Sequence, residues 1–240
     1  MTHVDEVGPD LFRISTFVPE INMQFNQFVI RDEEPLLFHT GLKAHFQSTL
    51  EAVSTVISPD KLGWIGFSHF EADECGALAE WQRVAPRAVA VCSIVAKAVS
   101  IDDSAALRPA LGLVDGQVFR TGTYQFRLLQ TPHVPHCWEA SMLFEETHRT
   151  LFCSDLFHHN GNVPAHTGSD VIEPFKAKLL GDQEGPFAFY MPWTPQTEPT
   201  LQRLAALRPR TLAIMHGSTF IGDGGQTLTD AATMMKKALG

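Results

Sequence analysis

Paired thiols are missing from this chain: its four cysteines, Cys75, Cys92, Cys137 and Cys153, form no C-x-x-C. With no disulfide framework to expect, a reduced, cytoplasmic compartment follows. Positive charge is scarce too, with 18 Lys and Arg against 27 Asp and Glu and a formal charge of −9. That balance disfavours a nucleic-acid backbone or an anionic membrane surface as partner, while leaving a protein able to concentrate cations. No apolar run reaches membrane-spanning length, and "MTHVDEVGPDLF" has none of the basic-then-apolar pattern of a secretory leader. Pro/Ser-rich linkers, low-complexity tracts and internal repeats are also lacking, so residues 1–240 are expected to form a single domain.

What is present is apolar material: 44% of the 240 residues are hydrophobic, enough for a core that needs no metal or disulfide to hold it. Strands are expected in "DLFRISTFV" and in "QFNQFVIRDEEPLLFHTG", two runs around a charged turn. In "LKAHFQSTLEAVSTVI" the apolar residues Phe46, Leu50, Val53 and Ile57 recur at helical spacing. The strand "LGWIGFSH", a helix in "CGALAEWQRVA" and an apolar strand "AVAVCSIVA" follow. Next come the β-rich "QVFRTGTYQFRLLQTPH" and a hairpin joining "SMLFEE" to "TLFCSDLF". Helices in "DVIEPFKAKLLG" and "PTLQRLAALRP", the strand "TLAIMHG" and the helix "TLTDAATMMKKAL" complete the chain. The pattern predicts one α/β domain whose sheets are covered by helices.

Eleven histidines are many for this length, and several stand where apolar strands run out. "SHFEADE" follows "LGWIGF", "TPHVPHCWEAS" follows "YQFRLLQ", "CSDLFHH" follows "TLF", and "MHGST" follows "TLAI". Strand ends carry loops on a rigid support and are favoured places for ligand sites. In extended chain, residues two apart face the same way, so His69 and Glu71 can share one metal while the turn into the next helix redirects Asp73. Glu74 has two explanations, a metal ligand or a carboxylate favoured beside a helix N-terminus. Imidazole and carboxylate without thiolate suit iron, manganese or zinc. Alone, H-x-E-x-D is equally well explained by a solvated turn; with His136, Asp155 and His216 in order at later strand ends, metal binding explains it better.

The order H-x-E-x-D-E, a later His, then Asp155 and a C-terminal His-Gly resembles the metallo-β-lactamase superfamily, whose usual first loop is H-x-H-x-D-H. Glu71 at the third position resembles the flavodiiron proteins and the single-domain oxygen-binding diiron proteins. The resemblance implies an αββα sandwich of two mixed sheets flanked by helices. It implies that His69, Glu71 and His136 hold one iron, Asp73 and His216 another, and that Asp155 bridges them in an Fe–O–Fe type centre. His136 is preferred over His133 because "HCWEASM" resembles the family's His segment and precedes Asp155 by a similar interval. The chain departs from the pattern twice. Glu74 stands where flavodiiron proteins usually carry His, and "FHTG" puts His39 where the superfamily has a carboxylate, so His39 is expected to orient a metal ligand by hydrogen bonding.

Three carboxylates, Glu71, Asp73 and Asp155, with Glu74 as a fourth, bring two divalent ions close to neutrality, which limits the cost of burying them. Anionic Glu71 in place of His favours the higher oxidation state of iron and therefore oxygen chemistry. The expectation is a non-haem diiron protein that binds or reduces O2 or another diatomic such as NO. It would act as a sensor, or as a reductase fed by a separate electron-transfer protein, since these residues include neither an FMN-binding flavodoxin domain nor a rubredoxin module. The alternative is a dinuclear zinc, manganese or iron hydrolase of an ester, thioester, lactone or phosphodiester. His158, His159 and Tyr190 are candidate pocket residues, each equally explained as loop or core. Cys75, Cys137 and Cys153 are expected as small fillers, and His3, His45, His148 and His166 as surface residues. A homodimer is expected from the resemblance.

Overall fold

A computed structural model describes residues 2–240. Sheet A contains seven strands, β1 (Thr2–Gly8), β2 (Leu11–Val18), β3 (Met23–Ile30), β4 (Leu36–Phe38), β5 (Trp64–Gly66), β6 (Val89–Ser93) and β7 (Leu111–Leu113), hydrogen-bonded in that order. The first four are antiparallel, and β4 through β7 are parallel. Sheet B, also seven-stranded, contains β8 (Val118–Arg120), β9 (Gln125–Gln130), β10 (Ser141–Glu145), β11 (Thr150–Phe152), β12 (His166–Thr167), β13 (Thr211–Ala213) and β14 (Thr219–Ile221). Its spatial order is β12-β14-β13-β11-β10-β9-β8, with β11 and β13 parallel at its centre.

Side chains along these strands divide by parity, as the two-residue period requires. Phe28, Ile30, Leu36 and Phe38 of sheet A meet Phe126, Leu128, Leu143 and Phe152 of sheet B in the layer between the sheets. The intervening Val29 and Leu37 face outward, into a second cluster with Leu78 and Trp81. On the far side, Leu129, Met142, Phe144 and Leu151 pack with Phe175, Leu201 and Met235. The helices that supply these covers are α1 (Phe46–Ser54) and α3 (Leu78–Val84) over sheet A, and α5 (Ile172–Asp182), α6 (Thr197–Ala206) and α7 (Gly224–Leu239) over sheet B. A single-turn helix, α2 (Ala72–Cys75), lies between β5 and α3, and another, α4 (Ile94–Ala96), follows β6. The result is the expected αββα sandwich.

Some elements differ from the sequence reading. The strand expected over "AVAVCSIVA" ends at Ser93, because the Ser93 hydroxyl accepts the Ala96 N–H at 3.0 Å and starts a helix. That helix continues through Lys97–Ala105 with wider turns, Ala106 N–H bonding Ile101 O at 2.9 Å. β1 carries no strong alternation, yet it pairs with β2 in register Val4↔Ile14. The chain start therefore forms an edge strand that local sequence does not announce.

Candidate metal centre

The ends of β4, β5, β9, β11 and β13 deliver His39, the His69–Glu74 segment, His136, Asp155 and His216 to one end of the sandwich. Beyond β5 the chain bends through residues 68–71 instead of staying extended, the Glu71 N–H bonding the His69 carbonyl at 3.2 Å. A tight turn and not strand alternation thus brings His69 and Glu71 together, and α2 then turns Asp73 and Glu74 inward. His69 Nε2 lies 3.1 Å from Glu71 Oε2, 3.6 Å from Glu74 Oε2 and 3.6 Å from Asp155 Oδ2. His136 Nε2 is 2.7 Å from the same Asp155 Oδ2 and 3.5 Å from Glu71 Oε2. On the other side, His216 Nε2 is 3.2 Å from Asp73 Oδ2 and 3.2 Å from Asp155 Oδ1. Asp155 thus turns one oxygen to each of two donor groups. One carboxylate therefore faces both donor groups.

Each imidazole presents Nε2 to the centre because Nδ1 is occupied behind it. His216 Nδ1–H donates to the Gln24 carbonyl at 2.8 Å. His69 Nδ1 meets the Ser68 and Ser154 hydroxyls at 3.1 and 3.2 Å, and His136 Nδ1 meets the Cys137 thiol at 3.2 Å. Such outer partners fix the tautomer that a metal requires. His39 occupies the predicted supporting place: its Nε2 accepts from Ser68 Oγ at 3.0 Å while Nδ1–H points at Met215 Sδ at 3.0 Å. It therefore ties the His69 loop to the His216 loop. Burial holds His39 down to about 3, so it is a neutral link, the Asp155 charge only partly opposing this.

The carboxylates dominate the electrostatics of the centre. Burial would lower the His216 pKa, yet Asp155 and Asp73 raise it to about 10. Burial would raise Asp155, but hydrogen bonds from His136 and His216 and the nearby imidazoles hold it well below the usual carboxylate range. Glu74 is pushed the other way, by burial and by the charges of Asp155 and Asp73. Both Glu74 oxygens are buried and without hydrogen-bond partners, whereas Asp155 Oδ1 faces His216 Nε2 at 3.2 Å. Donor atoms on His69, Glu71, His136 and Cys137, on His69, Glu74 and Asp155, and on Asp73, Glu74 and His216 lie within 4.8 Å of one another in each group. Cys137, expected only as a filler, is thus half-buried beside the donors, while Cys75 and Cys153 are buried. Adjacent donors on one ion at ordinary bond lengths are about 3 Å apart, so the side chains are spaced to close on metal ions.

Among the candidates left open, His136 is in the cluster and His133 is not: His133 is half-buried at φ +62° in the turn just before, its N–H bonding Cys137 O at 2.8 Å. His158 lies behind Asp155, its Nδ1–H donating to the Asp155 carbonyl at 3.0 Å and its Nε2 accepting from Tyr190 Oη at 2.8 Å. The Tyr190 ring stands against His136 with centroids 5.2 Å apart. His159 sits beneath the His216–Gly217 turn, with its N–H on the His216 carbonyl at 2.9 Å. A Cβ on Gly217 would fall 2.3 Å from the His159 ring, so only glycine admits this packing. Sequence reading missed Ser68, Ser154, Met215 and Glu139, whose carboxylate accepts the Phe70 N–H at 2.9 Å. For Ser68, Ser154 and Glu139 the one signal was polarity amid apolar strand ends, and Met215 offered none. His3 and His166 are exposed and His45 and His148 half-buried.

A family model described as "ODP family beta lactamase" matches residues 23–217. The chain belongs to this family. The matched span of the ODP-family chain runs from the start of β3 to the residue after His216 and so contains every residue of the centre. Rubredoxin-oxygen oxidoreductase of Megalodesulfovibrio gigas is 24% identical over 215 residues, 82% of this chain and 49% of the relative. The ODP-family chain thus spans about half of that relative's length. The flavodiiron protein of Giardia intestinalis superposes with a TM-score of 0.80 at 15% identity, over 98% of this chain and 59% of the other. The rubredoxin oxygen:oxidoreductase structure from Desulfovibrio gigas gives 0.80 at 18% identity, over 96% and 62%. At such identities the likeness is one of fold, and it fixes the metallo-β-lactamase architecture as that of the flavodiiron cores.

Proposed function

We propose that this chain is a non-haem diiron protein that binds and reduces O2 or NO with electrons from a separate small redox protein. The observation that carries the reading is the division of Asp155 between two donor groups. His69, His136 and Glu71 would hold one iron as two imidazoles and one carboxylate, the set that suits non-haem iron with open positions. Asp73 and His216 would hold the second, and Asp155 both. Bound as a ferrous pair, two irons supply electrons and open positions for a diatomic ligand. The protein keeps each Nε2 lone pair inward through the Nδ1 partners. Phe25, edge-on to His216 at 5.0 Å, and Tyr190 against His136 at 5.2 Å flank the centre with aromatic rings. The names of the oxygen-reducing relatives support the choice of O2 and of a rubredoxin-like donor.

Metals would be counted on purified protein, which would then be reduced without air and exposed to O2 under spectroscopic observation. About two irons per chain and near-ultraviolet to visible bands that bleach on reduction and return with O2 are expected. A colourless protein holding zinc, hydrolysing an ester and inert to O2, would overturn the proposal.

A further inference from the structure

Glu74 is the one carboxylate of the centre with no role in the six-ligand scheme. It is also the most enclosed, its side chain wholly inaccessible, whereas that of Glu71 is 51% exposed. Neither Glu74 oxygen has a hydrogen-bond partner. Its place is not a loop accident. The Thr40 N–H bonds the Glu74 carbonyl at 2.7 Å, and Thr40 is itself held by Trp81 Nε1–H on its carbonyl at 2.9 Å and by Ala77 N–H on its hydroxyl at 3.1 Å. The backbone is thus clamped from β4 and α3, and the side chain is aimed into the cluster. Its donor atom falls in two of the three groups there, with His69 and Asp155 on one side and with Asp73 and His216 on the other.

A buried carboxyl with no donor near it must take up a proton or face a cation. The groups around Glu74 are other carboxylates and the Nε2 atoms of His69 and His216, a setting that concentrates cations. We propose that Glu74 is a second carboxylate shared between the two metal positions, so that the centre is held by two such bridges, Asp155 and Glu74. This rests on the dinuclear reading above. Glu71, Asp73, Glu74 and Asp155 then balance two divalent ions charge for charge. The Asp73–His216 position becomes three carboxylates and one imidazole, an oxygen-rich set that favours iron or manganese over zinc.

The test is metal loading of the full chain and of Glu74→Gln and Glu74→Leu under matched iron, manganese and zinc, with metals counted and Mössbauer spectra recorded on iron-loaded samples. Wild type should take about two ions per chain, and each variant should keep one while binding the second at least about tenfold more weakly. Its spectrum should collapse to one iron environment, and the second position, where filled, should lose its preference against zinc. Metal-free Glu74→Leu should melt no lower than metal-free wild type, because an unpartnered buried carboxyl has been removed. Two ions held with unchanged affinity by both variants would overturn the inference and leave the dinuclear reading standing, as would a metal-free variant that melts well below wild type, the mark of a protonated structural carboxyl. A wild type that binds no pair of ions would instead defeat the dinuclear reading itself.

Discussion

Asp155 concentrates the chemistry of this molecule in two atoms. Its Oδ2 serves His136 and His69 and its Oδ1 serves His216, so removing the carboxylate removes a donor from both groups at once. Asp155→Ala should lower metal content at both positions, from about two ions per chain to well under one, whereas Glu71→Ala should leave the Asp73–His216 position largely filled. Metal analysis of the two variants, prepared side by side, checks the contrast; equal losses would remove the special status of Asp155. Glu71→His replaces an anionic oxygen donor with a neutral nitrogen and should shift the iron-to-zinc ratio toward zinc under matched loading. These residues could be named from sequence because they stand at strand ends in an order that resembles the metallo-β-lactamase superfamily. Their supports could not: Ser68, Ser154 and Gln24 act through a hydroxyl or a backbone carbonyl, and such groups are everywhere in a chain.

At the scale of elements, α2 and α3 decide where the acidic loop points. The sequence reading starts one helix at Cys75, but the structure has a separate single-turn α2 that ends at Cys75, and α3 starts only at Leu78. The break at Gly76–Ala77 lets Ala77 N–H reach both Gly41 O and Thr40 Oγ1. Trp81 on α3 fills the cluster outside sheet A and is fully buried, edge-on to Phe46 at 5.3 Å. Trp81→Ala should cost about 3–5 kcal/mol by cavity formation. It also frees the Thr40 carbonyl, so Thr40, and through it the Glu74 backbone, loses one of the two bonds that hold it, the Ala77 N–H remaining. Calorimetry should record the lower melting temperature, and weaker metal retention should accompany it. Retention equal to wild type below the melting transition would mean that α2 holds its place unaided.

On the scale of the whole molecule, the site exists only where the two sheets are locked together. Asn26 on β3 reaches across to the Ile214 and Gly217 carbonyls at 2.9 and 2.8 Å, and Arg13 on β2 bonds the Gly217 carbonyl at 3.1 Å. Asn26→Ala takes a donor from the buried Ile214 carbonyl and leaves the Gly217 carbonyl to Arg13 alone, and should cost about 1–3 kcal/mol in denaturant unfolding. At the opposite end, Asp32 accepts from Thr121 Oγ1 at 2.7 Å and from the Tyr124 and Thr123 N–H groups at 3.0 and 3.1 Å. A Cβ at Gly122, where φ is +127°, would press 2.8 Å from Glu33 Cβ, so glycine lets these turns meet. Slight burial would raise the Asp32 pKa, but those hydrogen bonds, led by Thr121, hold it below 3.8. A depressed carboxylate contributes stability that is complete above 3.8 and is lost as pH falls through its folded value. The melting gap between metal-free wild type and Asp32→Asn should therefore narrow from about pH 5 to about pH 2. A gap that stays constant would mean that ionisation of Asp32 plays no part in the clamp.

By itself the sequence determined the layers and the donor list. Apolar periodicity is a local property, and His, Glu and Asp after a strand remain visible without knowing what faces them. The resemblance already preferred His136 to His133 and set Asp155 between two groups; only the tertiary structure brought these donors to one place and enclosed Glu74 instead of leaving it solvated at its helix end. The physical reason is that these outcomes depend on packing between segments far apart in the chain. Asn26 bonding Ile214, or His216 bonding Gln24, is set by how two sheets stack, and no spacing within one segment encodes it.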